Sequence, residues 1–271
     1  MAIPSSLVSE IPHLREKTSS IGNIGRAAAI FRVDDIHIYP DDPSEAQLIR
    51  LILSYMETPQ YLRRQLFSKR PELRYAGVLP PLRTPHHPLE KRSNLLRKGE
   101  FREGIVTAED DGKFLVEIGV ERLLMATGRA PSIGSRATVQ VLETHPELVG
   151  RFTGRGEVDL YWGYGVHVSR QSLGKLALSG EFDLTVATSR GGQPYPKMVE
   201  QLGERWAEAK NVLVAFGAPR RGISEILAQE RLKLEEAFHF NINTIPHQGC
   251  QAVRTEEAVY ASLAILNLMS F

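Results

Sequence analysis

A single cysteine, Cys250, stands among 271 residues, so no internal disulfide framework exists, and a reducing compartment such as the cytosol is expected. No run of about 18 apolar residues occurs, which excludes a membrane-spanning helix. The segment Met1 to Ser6 has neither the basic stretch nor the apolar core of a signal peptide. A soluble, cytoplasmic protein is therefore the expectation. Neither a G-x-G-x-x-G nor a Walker A loop is present, which removes the usual motif-based nucleotide readings. The G-x-S-x-G elbow of many hydrolases is missing too. His86 and His87 lack the Cys or His partners of a zinc site, so no metal is expected.

Charge of one sign is also scarce overall, with a net value of only +1. The distribution is less even. Between Arg63 and Arg102 eleven Lys or Arg residues face only three Glu. Such a block suits phosphate groups, although a solvated loop would read the same way. Arg63, Arg64, Lys91 and Arg92 are its candidate RNA contacts.

The first ninety residues read as α/β. Ile36 to Tyr39 form a short strand stopped by Pro40. Ser44, with Gln47 three residues on, has a capping-box pattern, and Leu48, Leu51, Ile52 and Tyr55 follow as a helical stripe. Gly77 to Pro88 holds four prolines and reads as an extended linker. Composition then turns β-rich, with runs at 101–108, 113–120, 137–143, 148–153 and 161–168. Five strands at this spacing predict a small barrel of OB type, with a plain β-insert as the alternative. In the last run, alternation puts Tyr161 on one face and Trp162 with Tyr164 on the other, so at least one face belongs to a core.

Beyond residue 169 the α/β character returns. Strands are expected at 184–189, 211–216 and 238–243, and helices at about 196–209 and from Thr255 onward. Val199, Leu202 and Trp206 mark one helical face; Val259, Leu263 and Leu266 mark the other helix. The boundaries that follow are 1–88 and 169–271 for one α/β domain, interrupted by an all-β domain at 89–168. Three successive strands end in loops of Gly, Pro and small polar residues. Ligands in open α/β sheets sit outside the carboxyl ends of strands, so these loops are the candidate ligand site.

Residues 22–34, Gly-Asn-Ile-Gly-Arg-Ala-Ala-Ala-Ile-Phe-Arg-Val-Asp, resemble the first motif of the SPOUT (trefoil-knot) RNA methyltransferases. The chain as a whole resembles the archaeal and eukaryotic branch with an inserted OB-like domain. Matching stretches include 2–6, 59–63, 84–87, 101–104, 160–164, 182–185, Asn243-Thr244, Gln248-Gly249 and 254–258. The sequence departs from the family in having Arg190-Gly191-Gly192 where relatives tend to carry Glu-Arg-Gly.

The resemblance implies a knotted, SPOUT-type parallel sheet with helices, S-adenosylmethionine as cofactor, RNA (ribosomal RNA foremost) as substrate, and a homodimer. Its cofactor loops map onto Thr188, Ser189 and Gly191, then Gly217, Ala218 and Pro219. The third set is Asn243, Thr244, Ile245, Gln248 and Gly249, continuing to Val253, Arg254 and Thr255. Arg26 is the implied catalytic residue. A guanidinium keeps its proton in proteins, so this side chain suits clamping an anion rather than taking a proton. Glu256 or Glu257 is the candidate proton acceptor, with service to the helix terminus as the rival reading. Leu263, Leu266, Leu268, Met269 and Phe271 offer more apolar surface than one helical stripe needs, which fits a dimer. A non-catalytic RNA-binding ribosome-assembly factor on the same scaffold is the alternative function.

Overall fold

The computed structural model describes residues 1–129 and 131–270 of the chain. In chain order the elements are β1 (Ala2–Pro4), α1 (Leu14–Ile30), β2 (Asp35–Tyr39), α2 (Ala46–Glu57) and α3 (Gln60–Leu66). Five strands follow: β3 (Phe101–Asp110), β4 (Lys113–Glu117), β5 (Leu124–Thr127), β6 (Arg136–Glu143) and β7 (Val149–Thr153). The rest comprises β8 (Gly165–Val168), α4 (Leu173–Ala177), β9 (Leu184–Pro194), α5 (Val199–Glu208), β10 (Val212–Phe216), α6 (Ile223–Gln229), α7 (Leu234–Ala237), β11 (Phe240–Asn243) and α8 (Thr255–Leu266).

These elements fall into two compact units. One holds residues 1–56, 71–80 and 164–271; the other holds 57–70 and 81–163. In the first, six strands make a sheet in the order β11-β9-β10-β1-β2-β8, and every pairing is parallel. Strands covered on both faces need apolar side chains in both directions, which accounts for runs such as Val-Leu-Val-Ala-Phe in β10. Leu213 and Ala215 pack with Leu173 and Leu176 of α4, and with Ile223, Ile226 and Leu227 of α6. Val214 and Phe216, also buried, point to the other face by alternation.

The motif at 22–34 occupies the second half of α1 and the turn after it, where the sequence had indicated only a run of small residues. Its small side chains serve close packing. A Cβ on Gly25 would stand 2.6 Å from the hydroxyl of Tyr164 and 3.0 Å from Leu53, so only glycine lets the helix lie this near. Ser44 accepts a long 3.4 Å bond from the Ala46 amide, which gives α2 a weaker cap than the capping-box pattern suggested. Val199 is exposed, whereas Leu202 of the same helix is fully buried.

The second unit contains a closed barrel in the order β3-β4-β5-β7-β6. All its pairings are antiparallel except β5 with β7. Leu96, Val116, Ile118, Leu124, Ala126, Val139, Val141 and Leu148 fill its core. Five strands close it, but not the five expected. The run 161–168 is not a barrel strand: Gly163 takes a positive φ of 82°, and Gly165–Val168 pairs with β2 in the parallel sheet. The place it was assigned is filled by β5, four residues too short to show a pattern. Trp162 and Tyr164 are both buried, as one core-facing side of that run requires.

Candidate functional site

A cavity of about 1110 Å³ opens in the parallel-sheet unit. Its walls come from the segments that follow β10, β11 and β1 and from an irregular stretch inside β9: the strand expected at 184–189 runs on to Pro194, and Thr188 to Gly191 sit where its register with β11 shifts, not in a loop after it. Backbone carbonyl and amide groups no longer used by the sheet are available at the carboxyl ends of such strands. Thr188, Ser189, Gly191, Gly217, Ala218, Pro219, Asn243, Thr244, Ile245, Gln248, Val253, Arg254, Thr255 and Glu256 all line it. Three segments separated in sequence are thus brought to one cavity.

Side chains hold these loops together. Asn243, the last residue of β11, donates to the Arg190 carbonyl inside β9 at 2.8 Å and accepts from the Ile245 amide at 2.9 Å, tying the irregular stretch of β9 to the turn after β11. Ser189 donates to Asn241 at 2.9 Å, and Thr188 donates to the Ala215 carbonyl at 2.9 Å. Thr244 and Ser262 share a bond of 2.8 Å, which fixes the loop to α8. Arg190 reaches the Gln251 carbonyl at 3.0 Å. The loop after β10 is tight: a Cβ on Gly217 would lie 3.2 Å from the Arg221 carbonyl oxygen.

Of the candidate cofactor and catalytic residues, Gly249, Arg26 and Glu257 lie outside the cavity lining. Gly249 is exposed, and a Cβ there would meet nothing within 4 Å. Arg26 sits on α1 one turn beyond Asn23, which does line the cavity. Its charge bears on Tyr260 of α8: burial raises that phenol, and Arg26 partly offsets the rise. The two glutamates at the start of α8 separate cleanly. Glu257 accepts from the Arg254 amide at 2.9 Å and so caps the helix, while Glu256 faces the cavity.

Sequence reasoning missed one wall altogether. Leu7, Glu10, Ile11 and Pro12 after β1, and Glu16, Ser19, Ser20 and Asn23 along α1, line the same space. Their spacing on α1 is helical, and the strand end at Pro4-Ser5-Ser6 was a signal that could have pointed there. The hydroxyl of Ser20 is buried and has no hydrogen-bond partner among the described residues. Such orphaned groups are rare in folded proteins.

In the barrel unit, the basic block divides into structural and exposed residues. Arg102 is fully buried and paired with Glu100 at 2.7 Å. Arg63 donates to the Thr58 carbonyl at 2.8 Å. Arg64, Lys91 and Arg92 are exposed. The same unit holds a polar network: Glu57 accepts from Arg136 at 2.6 and 3.1 Å, and Glu103 accepts from Arg136, Thr138 and Trp162. Among the described residues no group of three or more His, Cys, Asp or Glu could hold a metal, and no helix is long and apolar enough to cross a membrane.

A parallel sheet with a loop-lined cavity at its carboxyl ends, carrying a separate small barrel, is an arrangement suited to a small ligand and a larger partner. The family model described as "Putative RNA methyltransferase" matches residues 1–266, and the chain belongs to that family of RNA-methylating enzymes. An uncharacterized protein of Halobacterium salinarum is 38% identical over 291 residues, covering 98% of this chain and 97% of that protein. The human 28S rRNA (uridine-N(3))-methyltransferase is 30% identical, covering 98% of this chain and 77% of its own length. Its Drosophila melanogaster namesake is 29% identical, covering 98% and 61%.

Proposed function

We propose that this chain transfers a methyl group from S-adenosylmethionine to N3 of a uridine in ribosomal RNA. The observation that carries the reading is the cavity formed by the irregular stretch of β9 and the loops after β10 and β11, with Glu256 at its wall. The activity for which the human and fly relatives are named favours a base nitrogen over a ribose hydroxyl. A SPOUT-type knot in the C-terminal segment, an OB-like character for the barrel, a homodimer and a cytoplasmic setting belong to the same reading.

The residues present fit the proposed donor. The cavity is large enough, its loops carry glycines that admit a flat ring, and apolar Ile245 and Val253 can cover the faces of that ring. Thr188, Asn243, Thr244 and Gln248 supply polar edges, and Arg190 or Arg254 can meet a carboxylate. When bound, the donor supplies an electrophilic methyl group on a sulfonium. The protein aligns the acceptor with it, an effect worth about 7–11 kcal/mol when reacting atoms are held in line. Glu256 accepts the N3 proton, and Arg26 holds an RNA phosphate at the cavity rim.

Two measurements test this reading. Calorimetry should give one S-adenosylhomocysteine bound per chain. Nucleoside mass spectrometry of ribosomal RNA from a deletion strain should show the loss of one 3-methyluridine, restored by the purified enzyme. A protein that binds RNA but no donor would instead be the assembly factor.

A further inference from the structure

Serines and threonines inside a helix ordinarily turn to solvent or bond the carbonyl one turn back. Thr18 does the latter, reaching the Leu14 carbonyl at 2.7 Å. Ser20, two residues on, does neither: it is 6% exposed, its hydroxyl has no partner among the described residues, and it lines the cavity. A buried hydroxyl left unpaired destabilises the fold unless a ligand completes it.

The two sides of the cavity differ in chemistry. The β9 stretch and the strand-end loops offer backbone groups, amides and arginines, which suit a purine nucleoside bearing a carboxylate. The α1 wall offers Glu16, Ser19, Ser20 and Asn23 and no cation. The one cation that reaches this wall among the lining residues, Arg220, is paired with Glu10, so the hydroxyl and amide groups left over match the edge of a neutral base better than a phosphate. The volume of about 1110 Å³ also exceeds the roughly 300–1,000 Å³ of a site for one drug-sized ligand.

We propose that the α1 wall is the acceptor-base subsite, and that Ser20 positions the base by donating a hydrogen bond to a uracil carbonyl oxygen next to N3. This assignment rests on the uridine reading above. Negative charge builds on the flanking carbonyl oxygens as N3 gives up its proton to a cavity carboxylate, and it is discharged as the N3 lone pair forms the N–CH3 bond while the methyl donor's S–CH3 bond would break with its electron pair left on sulfur. A donor placed there strengthens as that charge develops, so it acts on kcat more than on KM.

The test uses full-length Ser20→Ala and Ser20→Thr, compared with wild type in three assays. These are thermal melting without ligand, calorimetry with S-adenosylhomocysteine, and steady-state methyl transfer to a transcript of the target ribosomal RNA region. Ser20→Ala should melt at or above the wild-type temperature, because it removes an unpaired polar group. Its affinity for S-adenosylhomocysteine should be unchanged, while kcat falls about ten- to a hundredfold and the acidic limb of the pH–rate profile moves up. Ser20→Thr, which keeps the hydroxyl, should recover most of the loss. A Ser20→Ala enzyme with wild-type kcat overturns the assignment. So does one that melts lower, which would make Ser20 structural, or one that loses donor affinity in step with kcat, which would place it in the donor subsite. Wild-type protein that methylates no RNA overturns the methyltransferase reading and the subsite together, whereas wild-type turnover with an unaffected variant overturns the subsite alone.

Discussion

Glu57 shows how one carboxylate can be committed to structure. It is 5% exposed, and burial by itself would raise its pKa. The hydrogen bond with His86 and the adjacent Arg136 charge outweigh that and hold it at about 2, against an ordinary value of 4.5. A carboxylate with a depressed folded pKa contributes stability that is complete above its unfolded pKa and is lost as pH falls through the folded one. The barrel unit should therefore weaken between about pH 4.5 and pH 2, a loss on the order of 3 kcal/mol for this group. Glu57→Gln should cost about 1–3 kcal/mol at neutral pH, because the half-buried Arg136 keeps Glu103 but loses its second carboxylate partner. The same variant should show a flatter acid limb in urea unfolding, and an unchanged limb would remove Glu57 as its cause. Glycines in the cavity loops make a second contrast at this scale. Gly217→Val pushes a branched side chain against the Arg221 carbonyl and should abolish donor binding, while Gly249→Val projects into open space and should leave it within about twofold. Calorimetry on the pair checks both, and equal losses would mean that Gly249 belongs to the donor site after all.

At the start of α8, two adjacent glutamates do different things, and the pair separates catalysis from capping. Glu257 satisfies the Arg254 amide, so Glu257→Ala should cost about 1 kcal/mol of stability with methyl transfer largely kept. Glu256→Gln should melt close to wild type and lose most of its transfer activity, since its carboxylate lines the cavity and the amide cannot take a proton. Melting curves and turnover of the two variants decide, and a Glu256→Gln enzyme at full rate would move the base elsewhere. Elements with a strong period were legible beforehand: α2, α5, α8, β10 and β11 stand within a few residues of where the pattern put them. The half of α1 over residues 22–30 was not, because Gly22, Gly25 and three successive alanines carry no apolar stripe and are there to let other side chains approach. The run 161–168 alternates like a barrel strand, yet the positive φ at Gly163 breaks it and sends its second half to another sheet. The cavity loops after β10 and β11 could be read from their glycines and prolines, whereas the loop expected at 188–192 lies inside β9, whose register with β11 shifts there. The α1 wall could not be read, since an orphaned hydroxyl such as that of Ser20 becomes visible only once tertiary packing has buried it.

Across the whole molecule a net charge of +1 conceals a strongly basic segment, and that segment is where RNA binding should be sought. The apolar surface tells a second story at this scale. Leu263 and Leu266 are buried in the chain's own core, Met269 is half-buried, and Phe271 lies outside the described residues, so the surplus noted in the sequence reduces to Leu268 at 67% exposure. Ile30, at 47%, adds to it from the end of α1. Light scattering at micromolar concentration should give twice the chain mass of 30.3 kDa, and a monomer would reject the dimer. For RNA, the structure sharpens which cations to change. Arg102 is buried against Glu100 and cannot reach a phosphate, and Arg63 is tied to the Thr58 carbonyl, so reversing either mixes folding with binding. Arg64, Lys91 and Arg92 are exposed, and the Arg92 guanidinium stands a loose 3.4 Å from Glu90. Each phosphate contact contributes about 0.7–0.9 to the slope of log affinity against log salt. Reversing those three to Glu should therefore lower the slope by about 2 or more, and weaken RNA binding at least about tenfold at physiological salt. Affinity for S-adenosylhomocysteine should not move, because none of the three lines the cavity. An unchanged salt slope would show that this basic segment is only a solvated surface, and the RNA contacts would then have to lie elsewhere.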